Sequence, residues 1–303
     1  MKTTEFYEQV TNKIAEQLES VNVSDYRKPW FNLGNIPFNA FSGKAYRGIN
    51  HLILSLNDYA TPAYGTFKQW QEKGCLVNKG EKGHHVSFWN FDKKQKENME
   101  TGELELVSSV FMKTYVVFNV HQVSGDFAEK VKTKQAKPLN TLESFDNAES
   151  CIAEYVKQSG IALIQPYDRA CYIPALDSVK MPVLGQFTDS ESYYSVFFHE
   201  LTHSTGHESR LKRDLANGFG SQGYAREELV AELGAAMLCA ALGISQAPRQ
   251  DHAIYIKSWL KALKDDKKFI FSAASQAQKA TDWILKAGGI AEKESEDESA
   301  IAA

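Results

Sequence analysis

The stretch from Thr188 to His207 constrains the fold of this chain more than any other part of it. Thr188 and Glu191, three residues apart, form a capping-box pattern for the start of a helix, and Gly206 is a stop signal. The apolar residues between them recur at helical spacing: Tyr193, Val196, Phe197 and Leu201. The stretch is therefore predicted to be a helix that buries one side.

This predicted helix carries the motif H-E-x-x-H, at His199, Glu200 and His203. Two histidines four residues apart project from one face of a helix, where a single tetrahedral metal ion can join them. Glu200 lies about 100° further round the helix. It is too far round to be a ligand, but it can take a proton from a water molecule at the metal and pass it to a leaving amine. The motif is typical of zinc peptidases, with a chance match as the alternative because the pattern is short.

A catalytic zinc site needs a third protein ligand, and a second predicted helix, from Tyr224 to Gly243, can supply it. Glu228 and Glu232 share one face of this helix at a spacing of four residues. We predict that Glu228 is the third ligand and that Glu232 holds a ring N–H of a ligand histidine. Glu227 is the alternative ligand. Small residues would let the two helices pack closely: Ala231, Gly234 and Ala235.

His207 lies close to the position that a third histidine takes in some zinc sites. The longer motif H-E-x-x-H-x-x-G-x-x-H matches at Gly206, but its last histidine would stand where this chain has Ser209. His207 is therefore predicted to cap the helix or to line the cleft. The candidates for stabilising a transition-state oxyanion are Tyr224, His252 and Tyr255.

Residues 170–182, which precede the first helix, read as two short strands around a turn at Asp177 and Ser178. A strand in this place can hold an extended peptide substrate by main-chain hydrogen bonds. An ordinary hairpin without a binding role is an equal alternative.

Composition limits the class of protein. With 303 residues, of which 43% are hydrophobic and 24% charged, the chain should be globular and long enough for two cores. It has no apolar run of about 18 residues, and its polar N-terminus does not resemble a signal peptide. We expect a soluble, cytoplasmic protein without a membrane partner, and favour a monomer. The scattered cysteines are predicted to be buried and unpaired: Cys75, Cys151, Cys171 and Cys239.

The segment from Arg27 to Lys82 differs from the rest of the chain in charge. Eight lysines and arginines oppose three acids there, in a chain of net charge -4, and nine aromatic residues are interleaved with them. Cations that follow phosphates and rings on which bases stack suit a groove for single-stranded DNA. The predicted DNA-binding residues are Trp30, Asn39, Lys44, Tyr46, Arg47, Asn50, Lys79 and Lys82. The alternative is an aromatic core beneath a solvated face.

These patterns predict an α+β protein of two domains, in which the C-terminal domain is rich in helices and contains a small sheet. The predicted divisions are an N-terminal domain at 1–127, a linker at 128–146, a C-terminal domain at 147–290 and an acidic, disordered tail at 291–303. An amphipathic helix is predicted at 4–20, strands near Val86 and over 110–118, and closing helices at 251–263 and 272–287.

Several separated motifs occur in one order along nearly the whole chain. In the N-terminal half they are Trp30, 37–39, 46–50, 66–67, 77–83 and 115–122. In the C-terminal half they are Tyr172, Pro174, Asp177, 181–182, 193–194, 199–207, 210–211 and 224–232. Together they resemble the ArdC-type antirestriction proteins, which conjugative plasmids and other mobile elements carry.

The resemblance implies an N-terminal domain that binds single-stranded DNA and a C-terminal zincin-type metallopeptidase domain. It implies a protein that protects DNA entering a recipient cell from restriction endonucleases, with Zn²⁺ as the metal and Mn²⁺ as an alternative. It also favours Glu228 over Glu227 as the third ligand, and the protein substrate is unknown. Two hypotheses remain: a peptidase brought to incoming DNA, or a non-catalytic protein that coats single strands and uses its metal site for structure or regulation.

Overall fold

The computed structural model describes residues 3–19, 36–57, 59–97, 104–133, 145–187, 189–218, 221–244 and 253–290. Trp30, His252, most of the predicted linker and the predicted acidic tail lie outside the described residues.

In the part of the N-terminal half that the structure describes, four α-helices combine with two sheets. The helices are α1 (Thr3–Glu19), α2 (Gly48–Ser55), α3 (Phe67–Glu72) and α4 (Asp126–Thr133). The strands are β1 (Phe38–Asn39), β2 (Ala63–Thr66), β3 (Leu76–Val77), β4 (His84–Glu97), β5 (Leu104–Asn119) and β6 (Val123–Ser124). The larger sheet has the order β1-β2-β5-β4 and is dominated by the long antiparallel hairpin of β4 and β5; β3 and β6 form a separate pair.

The described residues of the C-terminal half form five α-helices and a small sheet. The helices are α5 (Asp146–Ser159), α6 (Ser190–Ser204), α7 (Gln222–Ala241), α8 (Ala253–Asp265) and α9 (Phe269–Ala287). The strands are β7 (Ala162–Ile164), β8 (Cys171–Ile173) and β9 (Ser178–Lys180), in the order β7-β9-β8. The predicted hairpin at 170–182 is therefore present as β8 and β9, whereas β7 was not predicted.

Helix α6 begins one residue later than its predicted capping box. Asp189 is the N-cap, and its carboxylate accepts a hydrogen bond of 2.6 Å from the Ser192 N–H. Thr188 lies outside the described residues. A charged acceptor at the helix start also opposes the positive end of the helix dipole. At the other end Thr205 caps the helix and Gly206 follows it, as predicted.

Helix α7 lies between two hydrophobic cores, which explains why nearly all of its residues are buried. Leu229 and Leu233 belong to a core with α1, α2, α8 and α9. Leu238 and Cys239 belong to a second core with α5 and α6. At Gly234 a Cβ atom would lie 2.6 Å from the Thr202 side chain of α6, so only glycine allows this close approach.

The first of these cores joins the two halves of the chain. Phe6 of α1 and Leu52 of α2 are fully buried together with Trp259 of α8. The rings of Phe6 and Phe271 are 5.6 Å apart, and the Trp259 indole donates to the Ala225 carbonyl at 3.0 Å. Helix α1 has the predicted buried stripe, but that stripe packs against C-terminal helices.

The predicted linker at 128–146 overlaps two helices. Its first six residues continue α4, where Ala128 is fully buried and Val131 packs against the same core. Its last residue, Asp146, begins α5. Because lysines dominate this segment, its pattern did not indicate the two apolar contacts that hold α4 in place. All four cysteines are free, and Cys171 alone among them is partly exposed.

Candidate metal centre

Three side chains from α6 and α7 converge on one point. His199 Nε2 and His203 Nε2 are 3.2 Å apart. Glu228 Oε2 lies 3.6 Å from the first of these nitrogens, and Glu228 Oε1 lies 3.7 Å from the second. The potential ligand atoms of all three residues lie within 4.8 Å of one another, and no other group of this kind occurs among the described residues.

These separations suit a single metal ion. Donor atoms that surround zinc tetrahedrally at about 2.1 Å lie roughly 3.4 Å from each other. The three observed distances are 3.2, 3.6 and 3.7 Å. Two imidazole nitrogens and one carboxylate leave a fourth position open, which is the donor set of a catalytic zinc site. The residues present therefore fit the metal.

Each histidine has a second carboxylate behind its ring. Glu232 Oε1 lies 3.1 Å from His199 Nδ1, and Glu227 Oε1 lies 3.1 Å from His203 Nδ1. A carboxylate at Nδ1 favours the tautomer that carries its proton there, and this leaves the Nε2 lone pair for a metal. Glu227, the alternative ligand from the sequence, thus lies on the far side of His203.

Arg213 fixes the position of Glu227. Its guanidinium donates to both carboxylate oxygens, from Nε at 2.9 Å and from Nη2 at 2.8 Å. It also donates to the Thr205 hydroxyl and to the Thr202 carbonyl, each at 2.7 Å. Arg213 therefore joins the end of α6 to the start of α7 through a buried, fully bonded ion pair.

The charges around His203 favour the protonated form of its ring. Burial of the ring lowers its pKa, but the Glu227 hydrogen bond and the charges of Glu227, Glu228 and Glu200 outweigh burial, so the pKa of His203 is raised above its ordinary value. For Glu227 burial raises the pKa, but Arg213 and His203 together hold it below its usual range. A site with this excess of negative charge attracts cations.

Glu200 is buried and points to the small sheet. Its Oε2 accepts a hydrogen bond of 2.8 Å from the main-chain N–H of Tyr172, on the edge strand β8. The predicted general base and the predicted substrate-holding strand are therefore in direct contact.

His207 lies away from the three converging side chains. Its Nδ1 is 2.8 Å from the Ser209 hydroxyl and 3.9 Å from Asp177 Oδ2. Asp177 in turn accepts from the Tyr172 hydroxyl at 2.8 Å and pairs with Arg210. His207 thus lies beside Asp177, the residue at the β8–β9 turn, and its predicted role in capping the helix or lining a cleft stays a prediction. Tyr224 lies one turn before Glu228 on α7 and is partly exposed.

Two arginines of the segment after α6 did not emerge from the sequence as site residues. Arg210 anchors the turn between β8 and β9 through Asp177, and Arg213 anchors α7 through Glu227. The signal available was weak: two arginines three residues apart in a segment without helical or strand periodicity. Their partners lie 33 and 14 residues away along the chain.

Comparison with known proteins agrees with this architecture. The family described as the N-terminal domain of anti-restriction factor ArdC matches residues 4–118, and the family of zincin-like metallopeptidases matches residues 150–276. The solved structure of the antirestriction protein ArdC from plasmid R388, in its metal-free form, is 34% identical, with a TM-score of 0.74 over 95% of this chain and 99% of that one. The chain belongs to the ArdC-type antirestriction family.

The Mn(II)-bound structure of the same R388 protein is 33% identical to this chain, again with a TM-score of 0.74. The protein y4eC of Sinorhizobium fredii is 40% identical over 92% of its length. Two DNA primases TraC of Escherichia coli are 38% and 37% identical, but the chain spans only 27% and 20% of their lengths. These relatives confirm the predicted family and the predicted two-domain α+β fold.

In this ArdC-type chain, three of the predicted DNA-binding side chains are buried. The Asn39 carboxamide accepts from the N–H groups of Phe41 and Ser42, both at 3.0 Å, and shapes the loop. Asn50 exchanges two hydrogen bonds with the main chain of Ser87 at the sheet edge.

Tyr46 is buried against Tyr64, with ring centroids 6.4 Å apart. Burial does not suit these three side chains to contact with DNA, because a base would have to displace the core. The sequence could not separate the two environments, because aromatic and amide side chains occur both in binding grooves and in cores.

The predicted cationic residues are closer to the surface. Lys79 and Lys82 are exposed in the turn before β4, and Lys44 is partly exposed. Arg47 is exposed but pairs with Asp282 of α9 at 2.5 Å. No helix within the described residues has the length and apolar character that crossing a bilayer requires.

Proposed function

We propose that this ArdC-type protein protects DNA that enters a cell from restriction endonucleases. In this proposal the N-terminal half binds single-stranded DNA and the C-terminal half is a zinc-dependent peptidase that acts on a protein at that DNA. The observation that carries the peptidase is the convergence of His199, His203 and Glu228 beside Glu200. Zn²⁺ is the proposed metal, and Mn²⁺, which the R388 relative binds, is the alternative.

The proposed roles follow from contacts within the chain. His199 and His203 would offer Nε2, because carboxylate oxygens of Glu232 and Glu227 lie 3.1 Å from their Nδ1 atoms. A metal held there would supply a Lewis acid that makes a water molecule and a peptide carbonyl more reactive. Glu200 would take the proton of that water and deliver it to the leaving amine.

The edge strand β8 is the proposed place for the peptide. Its neighbour β9 pairs with only one side of it, so the other side can pair with an extended substrate. The Tyr172 N–H, on that free side, already donates to Glu200. A peptide that pairs with β8 would therefore lie beside the proposed general base.

The alternative is a non-catalytic protein that coats single strands and uses the metal for structure or regulation. Glu200→Gln separates the two hypotheses, because it keeps the size of the side chain and leaves the three proposed ligands in place. If the protein is a peptidase, cleavage should fall by about 10²–10⁴-fold, while zinc content and DNA binding stay as in the wild type.

The matched control is Glu208→Gln, which alters an exposed glutamate a short distance beyond the same helix. Protection is measured as the efficiency with which unmodified plasmid DNA establishes itself in a restricting host, beside zinc content of the purified proteins. Full protection by Glu200→Gln would exclude the peptidase from the antirestriction role and leave the coating hypothesis.

A further inference from the structure

The N-terminal sheet carries an exposed apolar area next to the turn that contains Lys79 and Lys82. Phe67, at the start of α3, is 53% exposed, and Val116 of β5 is 39% exposed. The Phe67 ring is 6.4 Å from that of Phe118, which is partly buried beneath it. We refer to Phe67, Gly83, Val116 and Phe118 as the Phe67 surface.

Gly83 makes this area continuous. A Cβ atom at Gly83 would lie 2.3 Å from Val116 and 3.0 Å from the Phe118 ring, so the two side chains lie directly over the glycine. Phe118 is supported from below, because the Trp70 indole donates to its carbonyl at 3.0 Å and both belong to the core under the sheet. The rings therefore form a fixed platform.

The same face of the hairpin carries another exposed aromatic side chain, beyond the buried Ser87. Val116 is paired with His85, and Trp89 follows four residues later on the same strand, so it lies on the same face. Trp89 is 41% exposed. Exposed rings on one face of a sheet suit stacking on unpaired bases.

The charge beside the Phe67 surface is positive. Lys68 follows Phe67 directly and is largely exposed, and its nearest acid, Glu72, is 3.9 Å away. Lys82 precedes Gly83, and Lys79 begins the same turn; both are exposed. The one acid in that turn, Glu81, accepts a hydrogen bond from the Gln122 amide at 2.9 Å. Exposed lysines next to exposed rings complement the phosphates of a nucleic acid strand.

On the basis of the single-strand binding proposed above, we infer that the Phe67 surface is where this protein holds DNA. Bases stack on Phe67 and on the apolar area around Val116, while Lys68, Lys79 and Lys82 contact phosphates. The buried side chains of Asn39, Tyr46 and Asn50 support the sheet and do not touch the DNA.

The test measures binding of the full-length protein to a fluorescently labelled oligothymidine by anisotropy over a range of salt concentrations. Phe67→Ala should weaken binding by about 5- to 100-fold, the change expected for one lost stacking contact. Phe67→Tyr should bind like the wild type, because it keeps the ring. Lys82→Gln should reduce the salt dependence by about one phosphate contact, a slope change of roughly 0.7 for a single strand.

A matched pair of valines controls for the introduced charge. Val116→Asp should weaken binding strongly, whereas Val183→Asp, at a valine of 40% exposure in the C-terminal half, should not. Far-ultraviolet circular dichroism and urea unfolding of each variant show whether the fold is kept.

If the wild type binds no oligothymidine, the single-strand binding of the proposed function is wrong. If the wild type binds, but folded Phe67→Ala and Val116→Asp bind equally well, the DNA site lies elsewhere and the Phe67 surface is excluded. Equal weakening by Val183→Asp would also contradict the inference, because charge alone would then explain the loss.

Discussion

Buried histidines occur in both halves of this protein, and their surroundings are opposite. In the N-terminal half, burial lowers the pKa of His51 to about 4. Burial, with a smaller contribution from Lys13, lowers the pKa of His84 to about 4 as well. In the C-terminal half, burial acts on His203 in the same direction, but nearby carboxylates reverse the result and raise its pKa.

The difference shows that burial does not make a histidine functional. His51, on α2, lies in an apolar core and is held neutral by its surroundings. His203 faces a second helix that contributes Glu227, Glu228 and Glu232 to one small volume. Helix α7, and not the histidine motif alone, therefore supplies the carboxylates of the proposed metal site.

The largest expected effect compares two glutamates of α7, Glu228 and Glu227, with His207. Glu228→Ala removes a proposed ligand and should lower zinc affinity by more than 100-fold, beyond the range for an outer partner. Glu227→Ala leaves the ligands and should cost about 10–100-fold. His207→Ala should leave affinity unchanged, because Asp177 and Ser209 are its neighbours.

Competition with a chromophoric chelator measures the zinc affinities of the three purified variants. A Glu227→Ala variant that binds zinc more weakly than Glu228→Ala would reverse the proposed roles of the two residues. An equal loss in His207→Ala would bring that histidine into the metal site.

The next effect concerns the ion pair that supports His203. Arg213→Leu leaves Glu227 buried with only His203 as its charged partner, and we expect a loss of up to about 3–5 kcal/mol in the free energy of unfolding. Arg226→Leu is the control, because Arg226 is half-exposed and its ion pair with Asp266 is long, at 3.9 Å. This change should lower the free energy of unfolding by less than about 1 kcal/mol.

Urea unfolding of the metal-free proteins in a chelator measures both losses. Adding Glu227→Leu to Arg213→Leu should recover part of the stability, since no buried charge then remains unpaired. A double variant that is less stable than the single one would show that Arg213 acts through Thr202 and Thr205 instead.

The smallest effect is a change in the pH dependence of stability. The folded pKa of His51, about 4, lies below its unfolded value, so the unfolded state binds protons first and stability falls as the pH drops from about 6.5 toward 4. His51→Leu should remove up to about 3 kcal/mol of this loss. His203, with a raised pKa, contributes stability that is present below its unfolded pKa and lost as the pH rises through its folded pKa.

His203→Gln should therefore make the acid loss of the metal-free protein steeper, opposite in sign to His51→Leu. Urea midpoints between pH 4 and 8 measure both slopes. Slopes that change in the same direction would contradict the comparison between the two regions.

The sequence predicted the elements of the site because helical periodicity is local information. Four-residue spacings placed His199 with His203 and Glu228 with Glu232, and the structure brings these two faces together. Helical periodicity could not reveal the role of Arg213. The partner of this arginine depends on how an irregular segment crosses between two helices.

The exposure of side chains was the second property that the sequence could not predict. Tyr46 and Phe67 are both aromatic residues in the same basic segment, yet one is buried and the other half-exposed. What separates them is the packing of α2 and α3 on the sheet, which no pattern within the segment records. Strand β7 was not predicted for a related reason: its three exposed residues show no alternation of apolar and polar side chains.

The shared core of α1, α2 and α7–α9 has a consequence for anyone who wishes to separate the two halves. A fragment that starts at α5 would lose Phe6, Ile14 and Leu52 from the surfaces of Trp259 and Leu233. Those surfaces would then be open to water, and the fragment would tend to aggregate. Gene fusions that aim to transplant the metal centre into another protein should therefore carry the first sixty residues with it.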